Sequence, residues 1–140
     1  MPEKQTAVKH RMRTLVVEDS PEVLKAVCEY LQQRDIVEVV GTALNGEEAL
    51  AQVEALLPDL VITDLQMPSM GGLQLLLRLR KPGSNRQVIV MTVHEGDMVR
   101  NVCTDSGVDG FVPKSRFSEE MHAQLLAAYQ RYLVSLAKAS

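Results

Sequence analysis

Short apolar runs and helical stripes take turns along the whole of this chain, and that alternation restricts its fold more than any other feature of the sequence. Leu15-Val16-Val17 is too short for a helix and apolar throughout, as a strand buried on both faces must be. Ser20-Pro21-Glu22 then supplies an N-cap, a proline at the first helical position and an early acid, and Val23, Leu24, Val27, Cys28 and Leu31 recur at helical spacing behind it. Ile36-Val37-Glu38-Val39-Val40 predicts a second strand, and Asn45-Gly46 opens a second helix on Ala49, Leu50, Val53, Leu56 and Leu57, ended by Pro58. Leu60-Val61-Ile62-Thr63 predicts the third strand. After Pro68-Ser69-Met70-Gly71-Gly72 a third helix runs through Leu73, Leu76, Leu77 and Arg80 to Pro82-Gly83, and Val88-Ile89-Val90-Met91 predicts the fourth strand. Met98, Val99, Val102 and Cys103 mark a fourth helix with Gly107 at its left-handed C-terminal position, and Gly110-Phe111-Val112 is a short fifth strand. Ser118 is expected to cap a last helix through Met121, Leu125, Tyr129, Tyr132 and Leu136.

Five strands alternating with five helices predict an α/β fold, a parallel sheet covered on both faces, because right-handed crossovers return each helix over the sheet. At 140 residues the chain has the length of one domain. We expect a flexible polar lead-in over residues 1–12 and the domain over 13–140. Fifteen basic against eighteen acidic side chains give a formal charge of −3 and no broad field for a polyanion, and two Phe, three Tyr and no Trp leave no row of aromatics for stacking on bases. Direct binding of nucleic acid is therefore not expected. No apolar stretch reaches signal-peptide length or the ~20 residues of a membrane helix, so the expected setting is the cytoplasm, away from membranes. Cys28 and Cys103 lie inside apolar helical patterns without a Cys or His at ligand spacing, which predicts buried reduced thiols and no zinc site.

In a doubly wound sheet the ligand lies outside the carboxyl ends of the strands. There the chain places Glu18 and Asp19 after the first strand, Asp64 after the third, Thr92 after the fourth and Lys114 after the fifth. Each alone would pass for a solvated loop residue. Together, three carboxylates on one rim repel one another unless a cation compensates, and hard oxygen donors suit Mg²⁺. Nucleotide binding has no support: Gly41-Thr42-Ala43-Leu44-Asn45-Gly46 has P-loop glycine spacing, yet Glu47-Glu48 stand where Lys and Ser/Thr are required, and no G-x-G-x-x-G follows the first strand.

Val17-Glu18-Asp19-Ser20, Ile62-Thr63-Asp64-Leu65-Gln66-Met67-Pro68, Gly71-Gly72, Met91-Thr92 and Gly110-Phe111-Val112-Pro113-Lys114-Ser115 together resemble the receiver domain of two-component response regulators. The resemblance is to the chemotaxis-type, flavodoxin-like module, and it covers about residues 13–138. It implies a five-stranded sheet in the order 2-1-3-4-5 and a phosphoprotein switch in a phosphorelay. Asp64 would accept a phosphoryl group from a histidine kinase or phosphotransfer protein. Asp19 and Asp64 would be direct Mg²⁺ ligands with the backbone carbonyl of Gln66, and Glu18 would act on the metal indirectly. Thr92 would contact the phosphoryl oxygens and Lys114 pair with them, while Thr92 and Phe111 would form the moving switch. Such a domain catalyses its own Mg²⁺-dependent phosphorylation and dephosphorylation, but it is a signalling device more than an enzyme.

The chain departs from the commoner family pattern after Lys114, where Ser115 replaces a proline; Pro113 precedes instead, and trans bonds are expected at both positions. This form resembles receivers joined to helix-turn-helix output domains, so the chain either works without one or is part of a longer regulator. Gln66 and His94, each two residues beyond a site residue, flank the approach of water and are candidates for tuning phosphoryl turnover; His94 reads equally well as an ordinary loop residue. His10 and His122 have no partner at metal spacing. The last helix is long enough to overhang the sheet, and its apolar stripe through Tyr132 and Leu136 is expected either to fold over the domain edge or to extend a homodimer or partner face built from the fourth helix, fifth strand and fifth helix. Two other readings stay open: a receiver-like binding module that acts without phosphorylation, and an aspartyl-phosphate phosphatase, which would need an acid where the chain has Gln66.

Overall fold

The computed structural model describes residues 10–67, 70–79, 84–94 and 96–139. Among these the elements alternate as β1 (Met12–Val17), α1 (Pro21–Gln32), β2 (Val37–Ala43), α2 (Gly46–Leu56), β3 (Leu60–Asp64), α3 (Gly72–Leu79), β4 (Gln87–Thr92), α4 (Asp97–Asp105), β5 (Gly110–Pro113) and α5 (Phe117–Ala139), with a 3-10 turn at Lys114–Arg116. Residues 1–9 of the expected lead-in, Pro68-Ser69, and Arg80 with the Pro82-Gly83 stop lie outside the described residues. The strands pair in parallel in the order β2-β1-β3-β4-β5, so the direction of winding reverses between β1 and β3.

Strand periodicity sorts the core into two layers. Leu15, Val17, Val61, Val88 and Val90 face Leu75, Leu76 and Cys103 on one side of the sheet, whereas Met12, Val16, Ile62, Ile89 and Met91 face Val27, Leu31, Met121 and Leu125 on the other. β3 and β4 are buried along their whole length, which is why they read as unbroken apolar runs. Each fully buried leucine or isoleucine contributes about 1.5–3 kcal/mol of burial free energy.

The helix starts follow the capping chemistry. Ser20 Oγ accepts from the Val23 N–H, and Asn45 Oδ1 accepts from the Glu48 N–H at 2.8 Å while Glu48 Oε1 accepts from the Leu44 N–H at 2.8 Å. The glycine spacing around Gly41 and Gly46 thus belongs to a strand and a capped helix. Gly107 takes φ 89° just past α4, as its position required.

Several elements differ from the sequence reading. β2 runs on through Ala43: Thr14 aligns with Val39 but Leu15 with Gly41, so Val40 forms a bulge that lets the strand continue past its glycine. Ser118 is not a cap, because α5 begins at Phe117 out of the preceding 3-10 turn. On α4 only Cys103 is buried; Met98 is 79% exposed and Val102 also faces outward. On the far turns of α5 the stripe divides: Tyr129, Tyr132 and Leu136 turn onto the domain edge, while Leu133 and Val134 stay exposed. The Tyr129 and Tyr132 hydroxyls donate to the backbone carbonyls of His10 and Arg11 at 2.8 and 3.3 Å, and half-buried Leu136 lines a cleft with Pro58, Asp59 and Arg86. A helix with two phenols in reach of unpaired carbonyls folds onto the domain edge because those groups need partners.

The amino-terminal edge of the sheet is closed by similar bonds. The Arg13 N–H donates to Asp59 Oδ2 at 2.8 Å, its guanidinium donates to the Leu56 and Leu57 carbonyls at the end of α2, and Val88 N–H donates to Asp109 Oδ2 at 2.7 Å. Buried Gln87 donates to the Ala128 carbonyl at 2.8 Å and accepts from Arg131 Nε at 2.7 Å. Leu57 itself is 65% exposed and held at φ 50°.

Candidate functional site

At the opposite edge the strands deliver five polar side chains to one place. β1 ends just before Glu18 and Asp19, Asp64 and Thr92 are the last residues of β3 and β4, and Lys114 opens the turn after β5. Glu18 and Thr92 are each 1% exposed and Asp64 7%, so these are not solvated loop residues. Gly72 makes the inward position of Asp64 workable, since a Cβ there would stand 2.6 Å from the Asp64 carbonyl oxygen. Asp19 alone of the acids is exposed.

Oxygens of Glu18, Asp19 and Asp64 lie within 4.8 Å of one another. Lys114 Nζ reaches two of them, donating to Glu18 Oε1 at 2.8 Å and to Asp64 Oδ2 at 3.2 Å. Burial pushes the Glu18 carboxyl above its usual range; the Lys114 hydrogen bond and the Ser20 N–H at 3.1 Å oppose this, while the Asp64 charge adds to it. For Lys114 burial works against the charged form, but the hydrogen bond to Glu18 and the charges of Asp64 and Glu18 outweigh it and leave the ammonium held above the ordinary lysine range. One cation therefore faces three carboxylates, and hard oxygen donors in excess of their counter-charge are the donor set that a magnesium ion satisfies.

Two loops meet over Asp64. The Gln66 N–H donates to Asp64 Oδ1 at 3.2 Å, Gln66 Oε1 lies 2.8 Å from His94 Nε2, and the His94 N–H donates to Thr92 Oγ1 at 3.0 Å. The sequence reading had placed Gln66 and His94 separately beside the site; the fold bonds them to each other. Phe111 is 6% exposed in the layer that α3 and α4 cover. Above its ring, 4.4 Å from the centroid, stands the guanidinium of Arg100, a residue the sequence reading passed over. Its one signal was position, three residues before buried Cys103 and so on the same face of α4. Among the described residues there is no cis peptide bond, so Val112-Pro113 and Lys114-Ser115 are trans.

The chain is similar to known proteins over most of its length. A family model described as the response regulator receiver domain matches residues 14–126. The DNA-binding transcriptional activator EvgA of Escherichia coli strain K12 is 31% identical over 121 residues, which cover 86% of this chain and 59% of EvgA. A protein-glutamate methylesterase/protein-glutamine glutaminase of Koribacter versatilis is 41% identical over 83 residues, 59% of this chain and 23% of that protein. The signal receiver domain of NarL from Mycobacterium tuberculosis superposes with a TM-score of 0.75 at 29% identity, over 85% of this chain and 97% of that one. The chain thus spans little more than half of EvgA and less than a quarter of the methylesterase. With a winding reversal beside an acidic rim, and a family match over most of its length, the chain belongs to the response regulator receiver domains, whose standard role is phosphorylation-dependent switching.

Proposed function

We propose that Asp64 is the phosphoacceptor and that this receiver is charged by the phosphohistidine of a histidine kinase or phosphotransfer protein. One observation carries the reading: a single ammonium, Lys114, bridges Glu18 and Asp64 at the carboxyl edge while a third carboxylate stands beside them. In the transfer, an Asp64 carboxylate oxygen forms the new P–O bond in line as the donor's P–N bond breaks, its electron pair returning to the imidazole nitrogen. Lys114 leaves its two carboxylates and neutralises the incoming phosphoryl oxygens, and the Thr92 hydroxyl donates to one of them. The carboxylates of Asp19 and Asp64, with Glu18 behind them and the Gln66 carbonyl, would hold Mg²⁺. When bound there, such an ion would supply the remaining charge compensation for the phosphoryl oxygens. In hydrolysis, water forms a P–O bond, the bond to Asp64 breaks and phosphate leaves. The Gln66–His94 pair lies across the two loops beside that carboxylate and sets how fast water arrives.

Movement of Thr92 toward the phosphoryl group would open space for Phe111, and the face of α4, β5 and α5 would report the change to a partner or to a second copy. Receiver domains interact with histidine kinases and output domains, and the relatives differ in theirs, one being named a DNA-binding activator and another a methylesterase. Met98 and Val102 are the exposed large apolar side chains of α4 and Leu126, Leu133 and Val134 those of α5, whereas Tyr132 and Leu136 lie against the domain edge. No helix among the described residues is long and apolar enough to cross a membrane.

The test is mass measurement after incubation with acetyl phosphate and Mg²⁺. The expected result is one added phosphoryl group, absent in Asp64→Asn and strongly reduced in Asp19→Asn or in excess EDTA. No uptake by the wild type, or equal uptake with and without EDTA, overturns the reading and leaves a binding module that acts without phosphorylation.

A further inference from the structure

Lys114 reaches the acidic rim from a short piece of backbone. Pro113 is still paired with Thr92 at the end of β4, and Lys114, Ser115 and Arg116 then make a single 3-10 turn before α5 begins at Phe117. Hydrogen bonds in such a turn are poorer than in an α-helix, so its shape depends on what fixes its two ends. The sheet fixes the first end. Ser115 and Arg116 are exposed, and the Arg116–Glu120 ion pair at 3.6 Å lies at the surface, where such pairs contribute little. Packing under the lysine does not hold it either, because Lys114 borders an open cleft of about 430 Å³ whose other walls include Val23, Val27, Tyr30, Met91 and Phe117.

The second end is fixed across to α1. The rings of Phe117 and Tyr30 meet edge to face with 5.0 Å between centroids and 75° between planes, and the Tyr30 hydroxyl donates to the Ser118 carbonyl at 3.3 Å. Tyr30 is itself braced by the guanidinium of Arg34, 4.1 Å from its ring centroid. α1 is an anchor independent of the turn, since Val27 and Leu31 bury it against the sheet.

We infer that Phe117 is a positioning residue: seated on Tyr30, it fixes the 3-10 turn so that the Lys114 ammonium reaches Glu18 and Asp64. In the resting site Nζ stands 2.8 Å from the first carboxylate and 3.2 Å from the second, and in the transfer it has to meet phosphoryl oxygens carried on the same Asp64. Both tasks need the Lys114 backbone in one place. Phe117 follows Lys114 at the other end of the turn, so displacing its ring tips the turn and withdraws the ammonium toward the cleft. Loss of the ring pair changes the ratio of seated to withdrawn lysine by roughly two- to tenfold, the factor that an aromatic pair of ordinary strength supplies. The inference rests on the reading of Lys114 as the partner of the phosphoryl oxygens, given above.

Two rates test it: phosphoryl uptake from acetyl phosphate with Mg²⁺, and modification of Lys114 by acetic anhydride relative to exposed Lys25, read by peptide mass without phosphodonor. Phe117→Ala is expected to slow uptake and to speed modification of Lys114, each by roughly two- to tenfold. Phe117→Leu, the milder variant should the alanine protein not fold, is expected to do both to a smaller extent, and Tyr30→Phe, which keeps the ring pair, to stay near the wild type. Two controls separate this from a merely structural role. Gln87→Ala, altered at the opposite edge of the sheet, should change neither rate, and adding Phe117→Ala to Lys114→Ala should slow uptake no further than Lys114→Ala alone. Unchanged modification of Lys114 in both Phe117 variants overturns the positioning role. So does the same loss of uptake with Lys114 already removed, a Tyr30→Phe protein as impaired as Phe117→Ala, or a Gln87→Ala protein that moves both rates as Phe117→Ala does. A wild type that takes up no phosphoryl group refutes the phosphoacceptor reading, while the modification rates still decide whether Phe117 seats the lysine.

Discussion

The two edges of this sheet use polar residues in opposite ways. At the amino edge each bond joins complementary groups: Arg13 to Asp59 and the end of α2, Val88 to Asp109, Gln87 to Ala128 and Arg131, two tyrosines to the carbonyls before β1. At the carboxyl edge three acids crowd within 4.8 Å around one lysine, and burial presses on the protonation of Glu18. The first edge closes the fold. The second holds charge in waiting, and repulsion there is what a cation would relieve. Stability and activity should therefore separate cleanly between the edges, and substitutions can show whether they do.

The largest effect is expected at the carboxyl edge. Asp64→Asn should abolish phosphoryl uptake while the urea midpoint stays level or rises, because one of the repelling charges is gone; a clear fall in the midpoint would mean that Asp64 is a structural ion-pair partner of Lys114. At the amino edge the reverse is expected of Gln87→Ala, which removes the cross-element bond to the Ala128 carbonyl, leaving that carbonyl its helical bond alone, and takes the partner from Arg131. It should cost about 1–3 kcal/mol in urea unfolding with phosphorylation rate unchanged. A loss of phosphorylation equal to the loss of stability would erase the distinction between the edges.

Leu57→Gly sharpens the same contrast, since the closed edge still contains one strained residue. An exposed leucine at φ 50° is expected to give way to glycine with a gain of about 1 kcal/mol and no change in phosphoryl lifetime. His94→Ala and Gln66→Ala should change that lifetime without preventing uptake; unchanged decay in both would make their 2.8 Å contact an ordinary loop bond. The smallest effect concerns the two thiols. Burial raises both Cys28 and Cys103 above an ordinary thiol, with Arg100 opposing the shift at Cys103. Alkylation should be slower than for a free thiol at every pH and slowest at buried Cys103. Because the unfolded chain gives up these protons at lower pH than the folded one, stability should decline slightly only as pH rises past the ordinary thiol range.

The elements that the sequence displayed most openly are those buried on both faces. β3 and β4 have no solvent side, so their runs are uninterrupted, and the polar residues at their ends stand out against them. Glu18, Asp19, Asp64, Thr92 and Lys114 could be gathered onto one rim for that reason alone. What stayed hidden depends on contacts between distant segments. The extension of β2 past Gly41 needs the bulge at Val40, which is visible only in register with β1. Tyr132 looked like part of a free stripe because its partner, the Arg11 carbonyl, lies 121 residues earlier. The exposure of Met98 follows from α4 turning Val99 and Cys103 to the core, a matter of where the helix sits and not of its period. Arg100 over Phe111 is of the same kind: neither residue type announces the other.

The tyrosines of α5 also give β1 a tether. α5 spans 23 residues, about 34 Å at 1.5 Å per residue, and past its midpoint Tyr129 and Tyr132 moor it to the two residues that lead into β1. β1 lies inside the sheet, flanked by β2 and β3, and Glu18 and Asp19 sit at its far end. The two tyrosine bonds and the acidic rim thus stand at opposite ends of one strand, the first tethering its entry and the second crowning its exit.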